Sequence, residues 1–232
     1  MDIEKIISAL QMEGIQSRCR LYFIRKKNNN SYISYSPLIE EGVAEQLIEL
    51  VRNYLEKQKR LPITEFSPIG SYGDMLESCK TEEIQNYQEV IESLQEDRVE
   101  RETIGNSVIN KLNFYCLSVD CVIDGREENI KFFRRLTRFK KLSSKGMFGQ
   151  IKNNRFSKVE TEMLGVDGDI DTISIGNSVI ILNHIALERI FSMNDQYIEK
   201  SEEAIKKIEE AKHLLLFTDH SYQEISTLLN FT

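Results

Sequence analysis

The run Phe114-Tyr115-Cys116-Leu117-Ser118-Val119, followed by Asp124-Gly125 and then Lys131-Phe132-Phe133-Arg134-Arg135, decides how this chain folds. Its first part is β-branched, aromatic and apolar on both faces, which is the pattern of a strand buried in the middle of a sheet. Asp-Gly is a strong hairpin signal because both residues tolerate the positive φ of a tight two-residue turn. The residues after the turn admit two readings. Phe132, Phe133, Leu136 and Phe139 fit one helical face, with Arg134, Arg135, Arg138 and Lys141 opposite. As a returning strand, Ile130, Phe132, Arg134, Leu136 and Arg138 share one side. The Asp-Gly turn favours the strand at least to Arg135. Phe132, Phe133 and Phe139 are expected in the core.

Working outward, Met1–Met12 carries Ile3, Ile6, Ile7 and Leu10 at helical spacing. Ser17–Ile24 alternates as a strand. Lys26–Asn30 is a polar turn, and Tyr32–Tyr35 completes a hairpin. Val43–Glu56 is helical with Leu47, Leu50, Val51 and Tyr54 on one face. Ile69–Asp74 lacks the glycine spacing of a phosphate-cradling loop and reads as a plain loop. Thr81–Leu94 reads as one helix with an acidic first turn. On the far side, Phe148–Ile151 and Arg155–Val159 read as short strands. Ile170–Ile175, Gly176-Asn177 and Ser178–Leu182 make a second hairpin. Asn183 caps a helix containing Ile185, Leu187, Ile190 and Phe191. A longer helix with Ile198, Ile205, Ile208, Ala211 and Leu215 follows, and Ser221–Glu224 is a capping box that opens a last one. The hexapeptide Ile104–Ile109 recurs identically at Ile175–Ile180 and reads as reused turn chemistry.

This pattern predicts an α+β fold, a mainly antiparallel sheet of hairpins flanked by helices, with a helical C-terminus. The charge run Gln95–Glu102 reads as a linker between an N-terminal α+β region, 1–100, and a C-terminal α+β region, 101–232. No run of eighteen apolar residues exists, and the N-terminus lacks a basic-then-apolar leader pattern. The four scattered cysteines suit a reducing compartment, so a cytoplasmic protein is expected.

Charge gives the main functional signal. Arg126–Glu160 holds eleven Lys/Arg against three acids, a local +8 in a chain of net charge −7, so the remainder carries −15. A basic island on an acidic molecule points to an anionic partner, nucleic acid first. The expected phosphate contacts are Arg134, Arg135, Arg138, Lys140, Lys141, Lys145, Lys152 and Arg155. The competing reading is a solvated basic hairpin paired with the chain's own acidic surface.

Other constellations offer less. Asp167-Gly168-Asp169-Ile170-Asp171 places three carboxylates at alternate positions and invites a hard cation. However, the positions where an EF-hand needs Gly and Glu are Thr172 and Ser178. A polar turn before a strand accounts for it better. His184, His213 and His220 form no zinc pattern, and Cys116 reads as a packing residue. No cofactor and no catalytic residue is expected from these motifs.

From Phe114 to Tyr197 the order of features resembles the KwaB-like domain of the Kiwa anti-phage defence system. The resemblance rests on Phe114–Val119, Ile130–Arg134, Lys140-Lys141-Leu142, Arg155-Phe156, Ile170-Asp171-Thr172-Ile173, Val179–Asn183 and Leu187–Phe191. It is good over Asn110–Ala204, with Leu187 standing where phenylalanine is expected, and it makes 101–232 a KwaB-like core with C-terminal helices. The resemblance implies a bacterial defence protein that binds DNA beside a membrane-embedded KwaA-like partner, which would recruit it to the inner face of the membrane. Self-association through the Ile198–Leu215 stripe is a further expectation. Ala211–Phe231 is also similar to the opening of an AraC-type helix-turn-helix, without the recognition helix that would enter the major groove. Two alternatives stand beside DNA binding: a metal-dependent nuclease built on Asp167, Asp169 and Asp171, and an interaction module for an acidic protein.

Overall fold

The computed structural model describes residues 2–27, 31–67, 74–100, 104–136, 149–152, 155–158 and 164–193, together with Ile198, Glu202, Ile205 and Lys206. In chain order the helices are α1 (Ile3–Ala9), α2 (Glu41–Gln58), α3 (Tyr87–Ser93), α4 (Asn106–Ile109) and α5 (His184–Phe191). The strands are β1 (Cys19–Lys26), β2 (Tyr32–Tyr35), β3 (Ile63–Glu65), β4 (Leu76–Lys80), β5 (Phe114–Ile123), β6 (Arg126–Arg135), β7 (Gly149–Lys152), β8 (Arg155–Lys158), β9 (Thr172–Ile175) and β10 (Ser178–Ile181). Eight strands form one sheet in the order β2-β1-β5-β6-β9-β10-β4-β3, and β7 pairs with β8 in a second, two-stranded sheet. Every neighbouring pair is antiparallel except β3 with β4.

The β5–β6 hairpin is the centre of this sheet, and Asp124-Gly125 closes it with φ of 50° and 78°. The ladder runs unbroken from Ile123 opposite Arg126 to Phe114 opposite Arg135. Alternation then sends side chains to two buried faces. Leu21, Phe23, Tyr115, Leu117, Val119, Ile130, Phe132, Ile173 and Ile175 join Ile3, Ile6, Leu47, Ile48, Val51 and Leu55 of α1 and α2 in one core. The opposite face brings Phe133 against Phe114 and Phe191, and Tyr87 against Phe191, with ring centroids 5.5–6.3 Å apart. Helices thus cover both sides, and that is why β5 is apolar on both faces. Phe132 and Phe133 are both fully buried, as their aromatic character requires.

Several local expectations are revised. Thr81–Leu94 is not one helix. A 3-10 turn, Thr81–Glu83, is followed by Ile84 in extended geometry and Asn86 at φ 58°, and only then does α3 begin. Burial of Ile84 and the bond from Asn86 Nδ2 to the Phe191 carbonyl (2.9 Å) break the helix there. On α2 the buried face is Ala44, Leu47, Ile48, Val51 and Leu55, while Leu50 is exposed. The two identical hexapeptides differ: Gly176-Asn177 turns between β9 and β10, whereas the first copy forms α4. β3 and β4 carry no clear signal in sequence. Asn183 caps α5 as expected, accepting the Ala186 N–H at 3.1 Å. Strands on both sides of Gln95–Glu102 join the one large sheet. The Ile69–Asp74 loop, apart from Asp74, and the C-terminal helices, apart from Ile198, Glu202, Ile205 and Lys206, which are helical and exposed, lie outside the described residues.

Candidate nucleic-acid interface

β6 ends with two arginines on opposite sheet faces, and their surroundings differ. β9 pairs with β6, with Phe133 opposite Thr172, so the chain entering β9 must pass Arg134. Three carboxylates converge on that guanidinium. Nε donates to Asp167 Oδ1 (3.2 Å), Nη1 to Asp171 Oδ1 (2.8 Å), and Nη2 to Asp169 Oδ2 (3.0 Å) and Asp167 Oδ2 (3.5 Å). The Arg134 side chain is 17% exposed, Asp171 only 1%. Burial alone would lower the Arg134 pKa, but the charge of Asp171 and the hydrogen bond and charge of Asp167 outweigh it and hold it above the ordinary arginine range.

Neighbouring elements fix the acidic arm. Tyr115 Oη on β5 donates to the Asp167 carbonyl (2.8 Å) and to Asp167 Oδ1 (3.1 Å). Burial, then the Asp167 charge, pushes that phenol far above its usual range. Tyr54 on α2 is raised first by burial and then by Asp169 and Asp171. A Cβ on Gly168 would lie 2.7 Å from the Leu50 carbonyl oxygen, so glycine is what allows the arm to pack on α2. Asp171 also accepts the Arg135 backbone N–H at 2.7 Å, and its own N–H donates to the Phe133 carbonyl at 2.9 Å.

The expected phosphate contacts therefore separate. Arg134 is engaged internally. Arg135 is half-buried, and its pKa is lowered by burial and then by the like charge of Arg189 on α5, an exposed cation that sequence reasoning missed. Arg155 on β8 is exposed, and the register sets it opposite Lys152 on β7. Arg138, Lys140, Lys141 and Lys145 lie outside the described residues. From Leu136 to Val159 the sequence holds seven cations and no acid.

The trio Asp167, Asp169 and Asp171, weighed above as a cation site, surrounds a guanidinium instead. Among the described residues no group of three or more His, Cys, Asp or Glu is placed to hold a metal ion. His184 Nε2 lies 3.2 Å from the buried Glu77 carboxylate, with Phe66 packed on its ring. Cys116 is fully buried, and burial raises its thiol to about 12, so it is a packing residue. No helix among the described residues is long and apolar enough to cross a membrane.

Residues 111–225 match the family described as Kiwa protein KwaB-like. This span is a KwaB-like domain. The matched span opens just before β5 and takes in the β5–β6 hairpin, the Arg134 clasp, β7 to β10 and α5. A KwaB-like domain points to a role in Kiwa anti-phage defence. No curated protein and no solved structure matches the chain.

Proposed function

We propose that this KwaB-like protein binds DNA through phosphate, without base specificity, and acts in anti-phage defence beside a membrane-embedded partner of the KwaA type. The observation that carries the reading is the acid-free run of seven cations between Leu136 and Val159, with Arg155 exposed opposite Lys152. Cations that meet phosphate release its condensed counterions. The contacts are Arg138, Lys140, Lys141, Lys145, Lys152 and Arg155, with Arg135 at the base of the segment.

Arg134 leaves this set on energetic grounds. Pulling it away strands Asp171 as a buried, unpaired carboxylate, a cost of about 3–5 kcal/mol. One phosphate contact in non-specific binding is worth only about 1 kcal/mol, so the internal pairing wins. The same pairing removes the support for a nuclease built on Asp167, Asp169 and Asp171, because a divalent ion there would first have to displace the guanidinium. Self-association remains part of the reading, through a second copy that doubles the cationic surface.

The test is fluorescence anisotropy of a labelled duplex with the full chain and with Arg138, Lys140, Lys141 and Lys145 all changed to Glu. Binding by the wild type that disappears in the variant, with the thermal melt unchanged, is the expected result. Equal binding by both proteins overturns the reading.

A further inference from the structure

We infer that Arg135 at the end of β6 and Arg189 on α5 form one anion site, which takes a single backbone phosphate of DNA. That DNA supplies the phosphate rests on the reading above; the site itself is built from the sheet and α5 alone. Side chains alternate along β6, so Arg135 shares the face of Phe133 and leaves Arg134 with its carboxylates on the other. α5 covers the Arg135 face. The Phe133 and Phe191 rings lie 5.5 Å apart, Ile190 and Phe191 are fully buried, and Tyr32 Oη on β2 donates to the Ile190 carbonyl at 3.2 Å. Arg189, one residue before Ile190, is left exposed while Arg135 is half-buried. The two charges act on each other: after burial, the cation on α5 is what lowers the Arg135 pKa most.

Like charges brought together by a fold repel, and arginine cannot escape the repulsion by losing its proton. Asp171, the carboxylate that offsets Arg135, is already committed. Its Oδ1 accepts Arg134 Nη1 at 2.8 Å and its Oδ2 accepts the Arg135 backbone N–H at 2.7 Å. Among the described residues no carboxylate forms a salt bridge with the Arg135 or the Arg189 guanidinium. Arg189 stands in the last turn of α5, where the helix dipole favours a cation, but that does not account for a second cation beside it. A phosphate between the two supplies the missing negative charge and accepts from two forked sets of donors. The backbone of Arg135 is fixed by the ladder to Phe114 and by Asp171, and that of Arg189 by the packing of α5. Little ordering is then left for the ligand to impose.

The experiment measures duplex affinity across a salt series for the full chain as wild type, Arg189→Gln and Arg135→Gln/Arg189→Gln, with thermal melts alongside. We expect Arg189→Gln to bind about fivefold more weakly. Its melt should equal or exceed that of the wild type, because the change removes a repulsion. The salt slope of the double variant should be shallower by about 0.9, the worth of one phosphate. A slope shallower by about 1.8 means two separate contacts and overturns the shared site. Wild-type affinity and slope in the variants overturn it as well, and so does a lowered melt in Arg189→Gln, which would make that arginine structural. Should the wild type bind no DNA at any salt, the DNA reading fails, and inorganic phosphate then judges the site. A melt that phosphate raises more in the wild type than in the double variant upholds it, and an equal rise overturns it.

Discussion

Arg134 and Arg155 stand in the same basic stretch, and local sequence offers them equally as phosphate ligands. The fold treats them in opposite ways. Arg134 ends a central strand whose other neighbour, β9, is entered through Asp167–Asp171, so its charge is consumed by three carboxylates and its side chain is largely buried. Arg155 lies on a two-stranded hairpin outside the large sheet, exposed and opposite another cation. A basic island in sequence is thus a sum over residues in two different settings. Strand order decides which cations are engaged inside the protein, as Arg134 is, and which stay exposed, as Arg155 does.

This contrast breaks down if stability does not follow it. The largest effect is expected from Asp171→Ala. It leaves Arg134 short of its most buried partner and orphans the Arg135 N–H, and chemical denaturation should register a loss of about 3–5 kcal/mol. Gly168→Ala should cost less, about 1–3 kcal/mol, because its Cβ meets the Leu50 carbonyl and the arm must shift to relieve the clash. Alkaline pH provides a milder probe of the sheet. Burial raises the Cys19 and Cys116 thiols from 9.0 to about 12 and the Cys121 thiol to about 11. From pH 9 upward the unfolded chain therefore gives up thiol protons that the folded chain keeps. Stability must fall as pH rises through that window, which denaturant midpoints taken at a series of pH values will follow. The smallest effect on folding belongs to the hairpin: Lys152→Glu/Arg155→Glu should change stability by no more than about 0.5 kcal/mol while abolishing DNA binding. A large loss of stability in that variant would place the hairpin cations among the structural ones.

Much of the fold was legible because local chemistry and global pairing agree. Asp124-Gly125 needs positive φ and obtains it, and the apolar run before it fills both sheet faces. Gly176-Asn177 and Asn183 behave in the same way. Where tertiary context overrides local preference, the sequence was silent or misleading. The hexapeptide Ile104–Ile109 forms a short helix while its identical copy at Ile175–Ile180 forms a hairpin, so those six residues do not determine their own structure. Asn86 interrupts what its neighbours would make a single helix, because Ile84 is drawn into the core. β3, at the sheet edge, and β4 beside it are short, without alternation strong enough to register. The clasp was half visible. The alternate spacing of Asp167, Asp169 and Asp171 marks them as a group, but their target is a cation more than thirty residues back, brought close only by the pairing of β6 with β9.

The most direct test of the division between structural and ligand-facing cations is the salt dependence of duplex binding, measured for wild type and Lys152→Gln/Arg155→Gln. The account predicts a linear fall of log K with log salt for the wild type. In the variant the slope should be shallower by about 1.8, two phosphate contacts' worth, with the thermal melt unmoved. A variant with the wild-type slope and affinity would contradict it, because the two hairpin cations would then make no contact with phosphate.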